Sequence, residues 1–551
     1  MSVVTLGNRL RQWRPEISIE ALTLLTCVYV ALTCNVSFWS SALDGRLLAT
    51  AGTWRFVFGT FVAMCGLHFA LLICVANRWI IKPMLGLVLV VTATAAYYQD
   101  RFAVYLDADM LRNVLHTEYH EARELISSGF VLRVLLLALP PILILWRVRI
   151  VRRRWTHATL VRVLSLFGAI GLSASGMLLA FRDLSTLMRN HKEVRYLVTP
   201  GNYLYAAAQV LWSDVKQAQQ VLTPVGTDAR VAGRGEAARP RLLVIIVGET
   251  VRAQNWGLNG YARDTTPRLR ALNVVNFSDV RSCGTATEVS LPCMFSAIGR
   301  RAYDEARIRS QESLLHVLQH AGIQSLWRDN QTGCKGVCAG LPFQQWREAK
   351  VADLCQNDAC FDEILLHNLQ DDIDAVSGDL VVVLHPLGNH GPSYYARYPK
   401  RFRRFTPTCD SAEPGDCSSD ALVNSYDNAV LYGDHFVAET IGLLQRQTHR
   451  DAALIYVSDH GESLGEHGLY LHGVPYAIAP DQQTSVAMVA WLSAGFAASS
   501  GVDVECLRSR SALPVAHDDL FHSTLGLLDV QTQAYEAQLD LFKPCRPARG
   551  G

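Results

Sequence analysis

The sequence predicts an N-terminal α-helical transmembrane domain of five spans joined to a C-terminal α/β domain with a mostly parallel sheet. Three observations carry that prediction. Long apolar runs crowd the first third of the 551-residue chain. Short β-rich runs alternate with helical patterns from Arg241 onward. The chemically distinctive words of the second half follow directly on those strands.

The apolar runs lie at 21–39, 56–76, 84–98, 130–146 and 160–181. Each is close to the roughly 20 residues needed to cross a bilayer. A cleavable signal peptide is the alternative for the first run, but SFWSSALDG lacks a small-residue cleavage pattern and further spans follow. Arg9, Arg11 and Arg14 precede the first span, Arg78 and Lys82 lie between the second and third, and RVRIVRRR (147–154) joins the fourth to the fifth. Basic loops face the cytoplasm, so the loops near Asp44 and from Gln99 to Ser128, together with everything after Arg182, face outward. The division is a transmembrane domain at 1–182, a connecting helix and linker at 183–240, and an exported domain at 241–551.

Fourteen cysteines divide into four in the first two spans and ten in the exported half, an even number for an oxidising compartment. Short separations suggest Cys283 with Cys293, Cys334 with Cys338, Cys355 with Cys360 and Cys409 with Cys417, leaving Cys506 for Cys545. A zinc ribbon of Cys334, Cys338, Cys355 and Cys360 is the rival arrangement. A net charge of +1 carries no nucleic-acid signature.

In the second half, LLVIIV (242–247), GIQSLW (322–327), DLVVVLH (379–385), ALIYVS (453–458) and VAMVAW (486–491) read as strands. GET, LGNHG and SDHGES follow such strands and therefore gather at the carboxyl edge of the sheet, where open α/β sheets bind ligands. Glu249, Asp459 and His460 then offer two carboxylates and an imidazole, a usual zinc mixture, and Thr285 of CGTAT offers a hydroxyl that zinc can activate. Thr287 in the same word competes for the nucleophile role. Taken singly, Glu249 could be a helix cap and SDHGES a polar turn. His385 lies within its strand and reads as packing or orienting other groups, and Glu462 and Glu466 as supporting groups.

Six words in order, VGETVRAQNWGLNGYARDTTP, SCGTATEVSLPCMFS, DNQTGCKGVC, LGNHGPSYYARYP, YDNAVLYGDHF and SDHGESLGEHGLYLHGVPYAIAP, closely resemble the lipid A phosphoethanolamine transferases. That family includes the transferable colistin-resistance enzymes and belongs to the alkaline phosphatase and sulfatase superfamily. The resemblance is dense over about 240–480 and looser in the membrane half. It implies an alkaline phosphatase/sulfatase-like fold for the exported domain. It also implies a bacterial inner-membrane enzyme with a periplasmic catalytic domain, acting as a monomer with one tightly bound zinc and a second during turnover. Phosphatidylethanolamine would be the donor and lipid A the acceptor, with Thr285 carrying the phosphoethanolamine between them.

By the same resemblance Glu249, Thr285, Asp459 and His460 match the zinc ligands, His390 and His472 match histidines at substrate phosphate or a second zinc, and Thr332 and Lys335 match positions near the donor headgroup. His472 is preferred to His467 by family position, and a merely solvated Lys335 is the competing reading. In the outward loop Asn113, Thr117 and Glu121 match substrate-binding residues; their steps of four put them on one helix face, which could also be an ordinary polar face. The modified surface would carry less negative charge and bind polymyxin less. Transfer to a core heptose or another periplasmic glycan, or hydrolysis as a superfamily phosphodiesterase or sulfatase, are the alternatives. No CxPxR or SxPxR pattern stands at Thr285, which counts against a sulfatase.

Overall fold

The computed structural model describes residues 14–117, 119–217, 222–233, 238–356 and 359–547. The chain forms two compact units, Met1–Leu111 with Ile126–Val210, and Arg112–Leu125 with Leu211–Gly551.

Helices of the first unit include α1 (Ile19–Thr33), α2 (Val36–Leu43), α3 (Ala51–Val75), α4 (Ile81–Phe102), α5 (Ser128–Arg147) and α6 (Trp155–Asn190). Among the described residues the last four are each long and apolar enough to span a membrane, and α1 with α2 makes a fifth crossing only as a pair bent by 57°. The break in that first run has a local cause. Asn35 turns its side-chain amide to the Val30 and Thr199 carbonyls and accepts the Thr199 N–H, so side-chain bonds replace the helical ladder there. The fifth run is longer than its apolar stretch, since α6 holds 36 residues, or roughly 54 Å at 1.5 Å per residue.

Helices α3 and α6 pack through small residues. A Cβ on Gly176 would lie 2.5 Å from the Gly59 carbonyl oxygen, and one on Gly66 would lie 2.8 Å from that of Ala169. Ser173 adds a hydrogen bond to the Ala63 carbonyl at 3.0 Å. In lipid, where apolar surface gains nothing by association, such close backbone approach supplies the packing that holds helices together.

The second unit is built on a seven-stranded sheet. Its strands are β1 (Arg241–Gly248), β2 (Val275–Phe277), β3 (Gln324–Asp329), β4 (Phe343–Gln345), β5 (Leu380–His385), β6 (Asp451–Ser458) and β7 (Met488–Leu492), ordered β2-β7-β6-β1-β5-β3-β4. From β6 to β4 every neighbour is parallel, while β7 and β2 add antiparallel strands at one edge. β1 is buried throughout, which is why it reads as an unbroken apolar run. Its alternate side chains serve two cores: Leu243, Ile245 and Val247 face one, Leu242, Val244 and Ile246 the other. The short strands β2 and β4 escape the sequence reading because three residues carry no periodicity. All five expected disulfides are present, so the four ribbon cysteines are paired as Cys334–Cys338 and Cys355–Cys360.

Candidate metal centre and nucleophile

The centre of the sheet aims three groups at one point. Glu249 follows β1 directly, and Asp459 and His460 follow its neighbour β6, whose register pairs Ser458 with Gly248. The turn after β1 is strained: Thr250, a β-branched residue, holds φ of 56°. It is fixed there by three contacts, its N–H donating to Asp459 Oδ1, its carbonyl accepting the Tyr426 hydroxyl at 2.5 Å, and the next N–H donating to Ser458 Oγ. Strain of this kind persists only where the surroundings over-determine it.

His460 Nε2 lies 3.4 Å from Glu249 Oε1 and 3.4 Å from Asp459 Oδ2. Its Nδ1–H donates to the Gly461 carbonyl at 2.9 Å, which leaves Nε2 as the atom facing the carboxylates. One ligand atom from each of Glu249, Asp459 and His460 falls within 4.8 Å of the others. All three side chains are wholly buried, and Glu249 Oε1 and Asp459 Oδ2 have no hydrogen-bond partner among the described residues. Two buried carboxylate oxygens whose nearest facing group is the His460 ring nitrogen at 3.4 Å form a compact oxygen and nitrogen donor set that fits zinc.

Burial and the Glu249 charge raise the Asp459 carboxyl to about 7. Burial alone would lower His460, yet the Asp459 and Glu249 carboxylates raise it to about 10. Burial would raise Glu249 as well, but His460, His390 and His472 hold it below the ordinary carboxylate range.

The hydroxyl at this centre belongs to Thr287. Its Oγ1 donates to Glu249 Oε2 at 3.0 Å and lies 3.4 Å from His460 Nε2. Thr285, the expected nucleophile, instead donates its hydroxyl to the Val474 carbonyl at 2.7 Å. The structure thus brings Thr287, two residues on, and not Thr285 to the ligand set, and the reason is local. Residues 283–286 form the loop that leads into α7 (Thr287–Met294), so Thr287 is the first helical residue and Thr285 a loop residue tied to the segment after His472. The helix N-terminus favours negative charge on the Thr287 oxygen.

The remaining expected residues divide. His472 stands beside the centre, its ring 4.4 Å from that of His460, and its Nδ1–H donates to Glu462 Oε2 at 3.0 Å. Glu462 also accepts the Tyr394 hydroxyl, and His460, Glu462 and His472 form a second group able to hold a cation. His390 lies farther out, 5.5 Å from the His472 ring. His467 is exposed. Lys335 is not solvated: it is 8% exposed, with its ammonium 3.6 Å from the buried Glu288 carboxylate, and it holds φ of 49°. Thr332 donates its hydroxyl to Gln331 Oε1.

Asn113 and Thr117 do not share one continuous helix. The helix ends at Leu115 and another begins at Tyr119. The Thr117 hydroxyl donates to the Asn113 carbonyl at 2.7 Å while its own N–H donates to the Val114 carbonyl, which ends the α-helical ladder. The Glu121 side chain lies outside the described residues.

Gln331 escaped the sequence reading. Its side-chain amide donates to Glu249 Oε2, sharing that oxygen with Thr287. The signal was present, because DNQTG follows a strand of the parallel sheet just as GET and SDHG do. His385, at the end of β5, is locked to Asp329 at the end of β3 by a 2.8 Å contact through Nδ1, in keeping with an orienting role. Burial alone would lower the His385 imidazole, but Asp329 raises it above its usual value.

Comparison with known proteins adds to this geometry. A family model described as sulfatase matches residues 241–530, and one described as phosphoethanolamine transferase EptA/EptB matches residues 64–215. Phosphoethanolamine transferase EptA of Escherichia coli strain K12 is 38% identical over 97% of this chain and 98% of its own length. Phosphatidylethanolamine transferase Mcr-1 of Escherichia coli is 34% identical over 87% of this chain and 90% of its own. The solved integral membrane lipooligosaccharide phosphoethanolamine transferase A from Neisseria meningitidis superposes with a TM-score of 0.91 at 37% identity, covering 97% of this chain and all of that one.

Proposed function

Because the chain belongs to the phosphoethanolamine transferase family, we propose that it moves phosphoethanolamine from phosphatidylethanolamine to a phosphate of lipid A, by way of a covalent phosphoethanolamine-Thr287 intermediate. The observation that carries this reading is the Thr287 hydroxyl, 3.0 Å from Glu249 Oε2 and 3.4 Å from His460 Nε2.

Glu249, Asp459, His460 and the Thr287 hydroxyl are the residues that would hold zinc. Bound there, zinc supplies positive charge that lowers the pKa of the hydroxyl and screens negative charge on phosphate. The protein's own groups do the rest. In the first half-reaction the Thr287 oxygen gives up its proton and bonds to the donor phosphorus, the bond from phosphorus to the diacylglycerol oxygen breaks, and that oxygen leaves with a proton as diacylglycerol. In the second, an oxygen of a lipid A phosphate bonds to phosphorus, and the Thr287 oxygen leaves and regains its proton. Dividing the transfer lets one site serve two lipid substrates in turn.

The α7 N-terminus, first residue Thr287, stabilises charge on the oxygen in both halves. In this reading His472, oriented by Glu462, and His390 would meet the phosphoryl oxygens, and Lys335, now held at Glu288, and Thr332 would meet the donor headgroup, as the family resemblance implies. Asn113 and Thr117 remain candidates for lipid contact.

Five disulfides and the arginine-rich loops support an inner-membrane enzyme whose α/β unit lies in the periplasm. Each transfer adds an ammonium group to a lipid phosphate, so the outer surface attracts cationic peptides such as polymyxin less strongly. The test is lipid A mass spectrometry in cells making the protein or its Thr287→Ala variant. Added phosphoethanolamine with the first and none with the second is expected; unmodified lipid A with both, beside altered core sugars, would move the acceptor.

A further inference from the structure

We propose that the helical unit carries a separate binding site for the phosphate of an anionic phospholipid, at the end of the bundle where the arginine-rich loops meet. A cavity of about 330 Å³ opens there between four chain segments: Ser18–Glu20 at the start of α1, the α3–α4 loop at Asn77–Trp79, the loop residues Val151 and Arg153, and the first two turns of α6. None of its lining residues belongs to the threonine centre.

Arg78, Arg153 and Arg162 all line this space, the Arg78 guanidinium lying 4.4 Å from the Trp79 ring, and Glu20 is the single carboxylate among the lining residues. Glu20 is already engaged by Arg153 at 3.0 Å. Arg78 and Arg162 therefore line the cavity without a carboxylate of their own among the lining residues. Arg162 Nε is buried and has no hydrogen-bond partner among the described residues. A buried donor left unmet is costly, and a phosphate diester, whose oxygens match the planar fork of arginine, meets it. Loop charge bias alone does not call for this placement, because Arg152 and Arg154 satisfy that bias from exposed positions outside the cavity.

Two features select a lipid over a free phosphate. Trp79 and Trp155 line the cavity and are 76% and 81% exposed, as indole rings are when they sit at headgroup depth. Along α6 from Arg162, the exposed Leu160, Val163, Leu164 and Phe167 fall at helical spacing on one face, a continuous apolar track for an acyl chain. A lipid held here ties together the start of α1, the α3–α4 loop and the start of α6. The site does not depend on the proposed transfer chemistry; the proposed orientation only says that the cytoplasmic leaflet supplies the lipid.

The test uses the full chain in nanodiscs of phosphatidylglycerol and phosphatidylethanolamine in equal amounts, with retained lipid identified by native mass spectrometry after detergent extraction. The intact protein should retain phosphatidylglycerol selectively, and R78Q with R162Q should lower that selectivity by roughly 30-fold, two arginines at an anionic surface. R152Q with R154Q, which removes equal charge outside the cavity, should leave it unchanged. R78K with R162K checks folding by keeping the charge and should retain part of the selectivity. Equal retention by the intact protein and R78Q with R162Q would overturn the site, as would an equal loss in R152Q with R154Q. Titration of the detergent-solubilised protein with inorganic phosphate separates the sources: arginine-dependent phosphate binding without lipid retention would overturn the lipid reading.

Discussion

Replacing the two threonines of CGTAT one at a time separates the geometry of the centre from its spelling. Thr287→Ala removes the hydroxyl that lies 3.0 Å from Glu249 Oε2 and 3.4 Å from His460 Nε2. Glu249 Oε2 keeps its bond from Gln331, so the fold loses roughly 1 kcal/mol, one net hydrogen bond. Activity should fall by a factor on the order of 10,000 or more, the scale seen when a covalent nucleophile is deleted. Thr285→Ala has the opposite profile. It breaks the 2.7 Å bond to the Val474 carbonyl in a buried loop, costing roughly 1–3 kcal/mol of stability, and leaves the centre intact. Its activity should stay within about tenfold of the parent, since no hydrogen bond to the ligand set is lost. Thr287→Ser, which keeps a hydroxyl at the helix N-terminus, should retain measurable turnover. Lipid A mass spectra report the product, and intact-protein spectra after a short exposure to donor report the adduct. A Thr287→Ala protein that still modifies lipid A, beside a silent Thr285→Ala protein with a normal melting temperature, would refute this assignment.

The supporting residues give further tests. Gln331→Leu removes a donor to Glu249 Oε2; metal affinity should fall about 10- to 100-fold, the usual cost of losing such a support, as read by metal content after graded chelation. Complete chelation should abolish adduct formation, and zinc should restore it better than magnesium, because an imidazole beside carboxylates suits zinc whereas magnesium prefers oxygen ligands and keeps several waters. A folded, metal-free protein with full activity would sink that expectation.

Acid should destabilise the α/β unit through His517, which accepts the Cys283 N–H at Nδ1 and donates from Nε2 to the Ser458 carbonyl. Burial lowers its pKa from 6.5 to about 4. The unfolded chain therefore takes up a proton that the folded one refuses. This stabilisation is complete above pH 6.5 and is lost as pH falls towards 4, roughly 3 kcal/mol in all. Melting temperatures measured across that window should fall less steeply in His517→Gln, and identical slopes would show that another group governs acid unfolding.

Much of the site was legible because parallel sheets have a fixed polarity. Glu249, Asp459 and His460 sit one or two residues past apolar strands, and the carboxyl-edge rule places them together before any coordinate is known. Four disulfides were legible from short separations and the fifth, Cys506–Cys545, as the remaining pair, and the spans from apolar length. Gln331 obeys the same edge rule, but an amide is not a usual metal ligand, so its residue type carries no signal of a place beside Glu249.

What the sequence determined by itself was composition along a line: which stretches prefer lipid, which form buried strands, and which groups stand at their ends. Only the tertiary structure decided directions. It turned the hydroxyl of Thr287 rather than Thr285 to Glu249, because α7 begins there and the preceding loop is tied to Val474. It buried Lys335 against Glu288, bent the first apolar run at Asn35, and ended the helix between Asn113 and Thr117. Each outcome depends on a partner distant in sequence or on one side-chain hydrogen bond competing with the backbone ladder, and neither leaves a periodic trace in the order of residues.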